Sequence, residues 1–273
     1  MMFQPALPVG GFAGWQFLNR TMETQQENFA RSPVVQRETA YFRERIGQIE
    51  TAEQLVGDRR LLKVALGAFG LQSDLPNRFF IRKVLEEGAI EPKSLANRLS
   101  DKRYLEMSRA FGFGDFDTPN TRLSDFADRI VQAYQSRQFE VAVGTRDENL
   151  RLALNLRRDL AELAGSDRSD RAKWFSVMGQ PPLRQVFETV FNLPKGFGAL
   201  DLDRQLGVLQ DRTRRSFGDA GLSQFTDPDK VEDLARQFLL RAQAAEGGIN
   251  GGTRGAAALQ LLQGASFPRP GLR

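Results

Sequence analysis

Cysteine and histidine are both absent from the 273 residues. Without cysteine there is no disulfide and no thiolate nucleophile. Without histidine the commonest general base, the commonest metal ligand and the usual pH switch near neutrality are all missing. Triads of the Ser-His-Asp or Cys-His type are therefore excluded, and only carboxylate chemistry is left for a metal or an acid/base pair. Lysine is scarce, with seven against 31 arginines, a bias that a GC-rich genome produces without any ligand. No run of 18 apolar residues occurs, so no transmembrane helix and no membrane insertion are expected. The N-terminus, MMFQPALPVGGFAGWQFLNR, lacks the basic n-region and long apolar h-region of a secretory signal. No cleavable signal peptide is expected, and the Pro and Gly content predicts a loose arm. That leaves two destinations open, the cytoplasm or export by a route that uses uncleaved N-termini.

The charge is nearly balanced: 38 basic residues against 34 acidic, net +4, with an isoelectric point near 9.6. The charges are interspersed rather than blocked, so a solvated surface is favoured over a nucleic-acid footprint. Phenylalanine is abundant, 21 residues against two Trp and three Tyr. Phe has no polar handle, so most of these should anchor a core or an interface.

Helical periodicity recurs along the whole chain, and no segment shows the period-two alternation of a strand. Trp15, Leu18, Met22 and Phe29 mark a first amphipathic helix. Ser32-Pro33 reads as an N-cap with proline at the first helical position. Thr51 to Gln54 has the capping-box pattern. Asp58 is a good N-cap for a helix from Arg59 to about Phe69. Gly70 fits the left-handed position after it, with Leu71 packing back. Further helices are expected after Pro76, after Pro92, from Thr121 or Ser124, over 147–164, around Trp174 and Phe175, after Pro181, and from Pro228 to about Ala245. GFGDFDTPN, Gly112 to Asn120, reads as the clearest linker.

Two stretches resemble each other at an offset of 122: LVGDRRLLKVALGAFGL (Leu55 to Leu71) and VMGQPPLRQVFETVFNL (Val177 to Leu193). Gly57, Leu61, Val64, Phe69 and Leu71 meet Gly179, Leu183, Val186, Phe191 and Leu193. These positions share one helical face, while the polar Asp58-Arg59-Arg60 meets Gln180-Pro181-Pro182. A repeat that keeps its apolar residues and loses its polar ones indicates packing rather than chemistry. SRAFGFG (Ser108 to Gly114) has a weaker echo in RRSFGDAG (Arg214 to Gly221). The chain thus reads as all-α, a multi-helical bundle with a degenerate internal duplication and flexible terminal arms. Its expected parts are an N-terminal arm, partly helical, over 1–30; a first repeat over 31–116; long connecting helices over 117–165; a second, shortened repeat over 166–245; and a flexible Gly-rich tail over 246–273.

RETAYFRERIGQIETAEQLVGDRRLLKVALGAFGL and FIRKVLEEGAIEPKSLANRLSDKRYLEMSRAFGFGDF resemble the DUF1217 family of alphaproteobacteria. The resemblance is close from about Arg37 to Phe116 and looser through RIVQAYQSRQFEVAVG and the helix after it. Its most specific marks are Asp58-Arg59, Ala68-Phe69-Gly70-Leu71, Lys83-Val84-Leu85 and Asp101-Lys102-Arg103-Tyr104. It implies a helical protein associated with the flagellum, and it brings no catalytic, cofactor or metal residue with it.

Asp58-Arg59-Arg60 and Asp101-Lys102-Arg103-Tyr104 are the most site-like polar clusters. The simpler reading is that each Asp caps a helix and the cations are solvated or ion-paired. Gly112-Phe113-Gly114 follows no strand, and Gly247-Gly248 and Gly251-Gly252 precede no Lys-Ser/Thr, so neither makes a nucleotide loop. Glu86, Glu87 and Glu91, or Asp201 and Asp203, lack the spacing of a calcium loop. No catalytic, cofactor-binding or metal residue is therefore expected, and no cofactor or small-molecule substrate. Phe12, Trp15 and Phe17 lie on or beside the loose arm and are the candidate partner-docking residues. The function expected is a non-enzymatic structural or accessory protein of the flagellum that acts through an unidentified protein partner. A nucleic-acid-binding regulator is the alternative, and a carboxylate-only enzyme ranks last. The stretch from Leu55 to Leu71 carries a specific expectation: Leu61, Ala65, Ala68 and Phe69 buried, Arg59 and Arg60 converging on no pocket.

Overall fold

The computed structural model describes residues 3–264, with the side chains of residues 3–246. Among the described residues the regular structure is all helical. Thirteen α-helices follow one another: α1 Gly11–Ala30, α2 Pro33–Arg45, α3 Ala52–Gly57, α4 Arg59–Ala68, α5 Arg78–Glu86, α6 Leu95–Arg98, α7 Arg103–Phe111, α8 Phe126–Gly144, α9 Glu148–Gly165, α10 Asp170–Met178, α11 Pro181–Val190, α12 Leu202–Phe217 and α13 Pro228–Gly264. Short 3-10 turns join several of them.

Local chemistry accounts for most of the boundaries. The Thr51 hydroxyl accepts from the Gln54 backbone N–H while the Gln54 side chain accepts from the Thr51 N–H, a complete capping box at α3. The Asp58 carboxylate accepts from the N–H groups of Arg60 and Leu61 and starts α4. At the other end Gly70 has φ +70°, Leu71 N–H donates to Leu66 at 2.8 Å, and Gly70 N–H to Gly67 at 3.3 Å. That is a Schellman stop. Ser32 precedes α2 as expected, but its hydroxyl donates backwards to Phe29 instead of capping. Two helices start later than their prolines predict. α5 begins only at Arg78, after a 3-10 turn at Gln72–Asp74, and α6 is a single turn from Leu95. α12 is additional to the helices expected from the sequence.

The helices enclose two main cores, and α8 belongs to both. Phe126, Ile130, Val131 and Tyr134, on its first half, pack with α2 to α5 and α7. Phe139 and Val143, on its second half, pack with α1 and with α9 to α13. α4 lies at the centre of the first core. Leu61, Leu62, Val64, Ala65, Leu66 and Ala68 are all buried. Each buried Leu there contributes roughly 1.5–3 kcal/mol over an exposed one. Phe69 is half-buried, because it follows the last helical residue and covers the rim of the core.

α4 and α11 span the same positions at the offset of 122 and end in the same way. Leu193 N–H donates to Glu188 and Asn192 N–H to Thr189, with Asn192 at φ +49° where Gly70 stands in the first stretch. The weaker echo is alike only at its helix ends, where α7 and α12 finish on Phe111 and Phe217 before a left-handed glycine, Gly112 or Gly218. The helices before α4 and α11 differ. α3 has six residues with a capping box, whereas α10 has nine and starts on Ser169.

Both terminal arms differ from expectation. The described part of the N-terminal segment is fastened down: Ala6 N–H donates to the Gln25 side chain at 2.9 Å, and the Gln25 amide returns a hydrogen bond to Ala6 at 3.1 Å. Leu7 is buried, and Phe3 packs edge-on to Phe29. Apolar side chains on a nominally loose segment found their own core. The tail is helical to Gly264, since α13 continues from its packed first half into the Ala- and Leu-containing run beyond the glycines. The remainder of the expected tail, 265–273, lies outside the described residues. The expected connectors over 117–165 are core helices.

Candidate functional site

The polar clusters that stood out in the sequence are structural. Tyr41 donates its hydroxyl to Asp58 at 2.6 Å, and the Arg60 guanidinium lies 3.7 Å over the Tyr41 ring. Arg59 instead lies beside Leu75, Pro76 and Arg78, so the two arginines diverge. Asp101 accepts from the backbone and the guanidinium of Arg103, whose Nη1 donates onward to the Gly70 carbonyl at 2.6 Å. Lys102 donates to the carbonyls of Asn97 and Leu99 and closes the end of α6. Tyr104 donates to Asp74 at 2.7 Å. Four of the five carboxylates in the acidic clusters, all but Glu91, are engaged as well. Glu86 pairs with Arg82, Glu87 accepts from Leu95 N–H, Asp201 caps α12, and Asp203 pairs with Arg171.

The docking candidates separate. Trp15 is fully buried, donates its indole N–H to Glu232 at 2.5 Å, and carries Arg157 over its ring at 5.1 Å. It is a core residue, because its side of α1 faces α9 and α13. Phe12 is half-buried against the same core. Phe17 is also half-buried.

The most concentrated chemistry lies where α8 passes from one core to the other. Arg137 and Glu140 of α8 meet Asn155, Arg158 and Asp159 of α9. Arg158 Nε donates to Asp159 at 2.8 Å, Arg158 Nη1 pairs with Glu140, Asn155 donates to Asp159 at 3.1 Å, and Arg137 lies 3.5 Å from Asp159. Two guanidiniums face two carboxylates. Burial alone would raise the Asp159 carboxyl, but Arg137, Arg158 and the hydrogen bonds from Arg158 and Asn155 outweigh it and hold the group below its ordinary value. Glu106 of α7 is an extra carboxylate beside this balanced set. Burial and the nearby Asp159 push it up to about 6, although Gln180 donates to it at 3.1 Å. Asn155 Oδ1 and Arg158 Nη2 are sealed without a protein partner. The adjoining cavity, bounded by Gly70, Arg103, Arg137 and Asn155, measures ≈ 40 Å³. That space admits a water or two but no metabolite. The arrangement can orient helices and trap a proton on Glu106. It presents no nucleophile beside a base.

None of this was singled out in the sequence, although a signal existed. Ile130, Tyr134 and Val141 form an apolar stripe on α8, and Arg137 occupies the matching position within it.

A family model described as a protein of unknown function, DUF1217, matches residues 68–231. The chain belongs to the DUF1217 family. Its match begins inside α4 and runs into α13, so it takes in every residue of the buried charge cluster. A crystal structure of an Agrobacterium tumefaciens protein, solved by structural genomics, is similar to this chain at 27% identity and a TM-score of 0.70, covering 87% of this chain and 97% of its own. No curated protein matches the chain. In this DUF1217 protein no helix among the described residues is long and apolar enough to cross a membrane.

Proposed function

We propose that the chain is a non-enzymatic structural or accessory protein that acts by holding a protein partner, and that the partner belongs to the bacterial flagellum. The flagellar part rests on the family resemblance read in the sequence. The observation that carries the contact role is a pair of exposed apolar side chains on a rigid support. Ile90 is 66% exposed and Phe116 52%. The Asp115 carboxylate accepts from the N–H groups of Ala89 and Ile90 at 2.8 and 2.9 Å and so joins their two loops. Phe79 of α5, in the same half of the molecule, is 79% exposed. Large apolar groups held out on an ordered frame are what a contact surface needs. The buried charge cluster supports the same reading, since its charges are mutually paired and fix the two halves rather than facing a substrate. Phe12 and Phe17 are the accessible remainder of the docking site expected on α1.

Affinity capture from motile cells, with Ile90→Asp/Phe116→Asp as the control bait, tests the proposal. Recovery of a flagellar component by the unmodified chain, lost with the control, is the expected outcome. Equal recovery by both, or no flagellar component with either, contradicts it.

A further inference from the structure

A cavity of ≈ 390 Å³ opens between the N-terminal segment, α1, α2, α4 and α8. Phe3, Phe29, Val35 and Ala142 supply apolar wall. Gln4, Ser32, Lys63, Tyr134, Gln138 and Thr145 also line it, and each carries a hydrogen-bond donor. Lys63 is already held by Glu38 at 3.0 Å, so the charge there is balanced. Ser32 and Thr145 donate to the carbonyls of Phe29 and Ala142, whereas Tyr134 and Gln138 are unspent. Gln138 Nε2 is sealed without a partner, and the hydroxyl of Tyr134, a residue only 4% exposed, makes no hydrogen bond among the described residues. Burial and the nearby Glu38 push the Tyr134 hydroxyl up to about 12, so it stays protonated and able to donate.

Tyr134 and Gln138 stand one turn apart on α8, directly over Gly67 of α4. A Cβ at Gly67 would lie 2.7 Å from Tyr134 Cδ2 and 3.1 Å from Gln138 Nε2. The glycine therefore makes the room in which the Tyr134 ring and the Gln138 amide pack against α4. A buried N–H with no acceptor is costly. A pocket of this volume, mainly apolar with a few grouped polar atoms, has the make-up of a small-ligand site.

We propose that this pocket binds a small amphiphile, a short aliphatic chain with a carbonyl-bearing head, its chain against Phe3, Phe29, Val35 and Ala142 and its head oxygen accepting from Tyr134 and, once the Gln138 amide turns from Gly67 into the cavity, from Gln138. The site does not depend on the flagellar reading. Because Lys63 is neutralised by Glu38, a carboxylate and an amide head should both be accepted.

The test is a titration of the full chain with octanoate and, separately, octanamide, followed by methyl resonances. Saturable shifts confined to Val34, Val35, Val141 and Ala142 are expected with both probes. Ala142→Phe fills the pocket and should abolish them. Gln138→Leu, which leaves the pocket open, should weaken both probes by at least tenfold, with circular dichroism confirming that each variant is folded. Should Ala142→Phe fail to fold, Gln138→Leu decides alone. Shifts that never saturate, shifts spread over the surface, or unaltered binding to Gln138→Leu would overturn the proposal. Binding of octanoate alone would overturn it too, since it would mean attraction to a cation rather than hydrogen bonding to a carbonyl.

Discussion

Two residues govern how closely helices approach and how they stop. Gly67 lets the Tyr134 ring lie against the α4 backbone. Gly67→Ala should therefore lower stability by about 1–3 kcal/mol, the range for overpacking a filled core, read as a lower denaturant midpoint. Asn192 is the one non-glycine at positive φ among the described residues, +49°. Asn192→Gly keeps the Schellman stop and removes the side-chain strain, at some entropic cost in the unfolded chain. The net change should lie within about 0.5 kcal/mol, whereas Asn192→Val should cost distinctly more, about 1–2 kcal/mol. Thermal melts of the pair measure the contrast. Such positions were legible in the sequence where a residue type has a single conformational use. Asp58, Gly70 and the Thr51 capping box took the places expected of them. Trp15 reads as part of a loose arm because neighbouring proline and glycine advertise one, while its partners Glu232 and Arg157 lie far along the chain.

Single elements are stabilised differently at the junction of the cores. α8 carries an apolar stripe at both ends and a charged turn between them. Removing one member of a buried ion-pair set leaves its partners unpaired. Asp159→Ala should accordingly cost about 3–5 kcal/mol, measured by urea unfolding. Glu106 behaves in the opposite sense. Its ordinary value is 4.5 and its value in the fold is about 6, so the folded state binds more protons between those pH values. Its contribution to stability is full below pH 4.5 and is lost as pH rises through about 6. At most about 2 kcal/mol is involved. Glu106→Gln should flatten that part of the profile and leave the protein as stable or more stable at neutral pH. Unfolding of both proteins at pH 4.5 and pH 7.5 gives the comparison. Sequence periodicity located α8 and α9 but not this cluster. One arginine within an apolar stripe is read as surface, and the Asp159 that pairs with it comes from another helix.

At the scale of the molecule, two cores share α8, and the N-terminal segment is part of the larger one. The all-helical class and the packing role of the repeated stretch were legible from apolar spacing alone. The ordered N-terminal segment and the helix running through the glycines of the tail were not, because both depend on contact with, or continuation from, structure formed elsewhere. The contact surface was not legible either, since Ile90 and Phe116 are distant in sequence and are brought to one support by Asp115. The central claim is that this ordered frame serves the flagellum. Its most direct test is deletion of the gene in the source bacterium, with swimming assays and electron microscopy of the flagella. The account predicts impaired swimming or altered flagella, restored by the unmodified chain and not by Ile90→Asp/Phe116→Asp. Normal swimming and normal flagella in the deletion strain would contradict it.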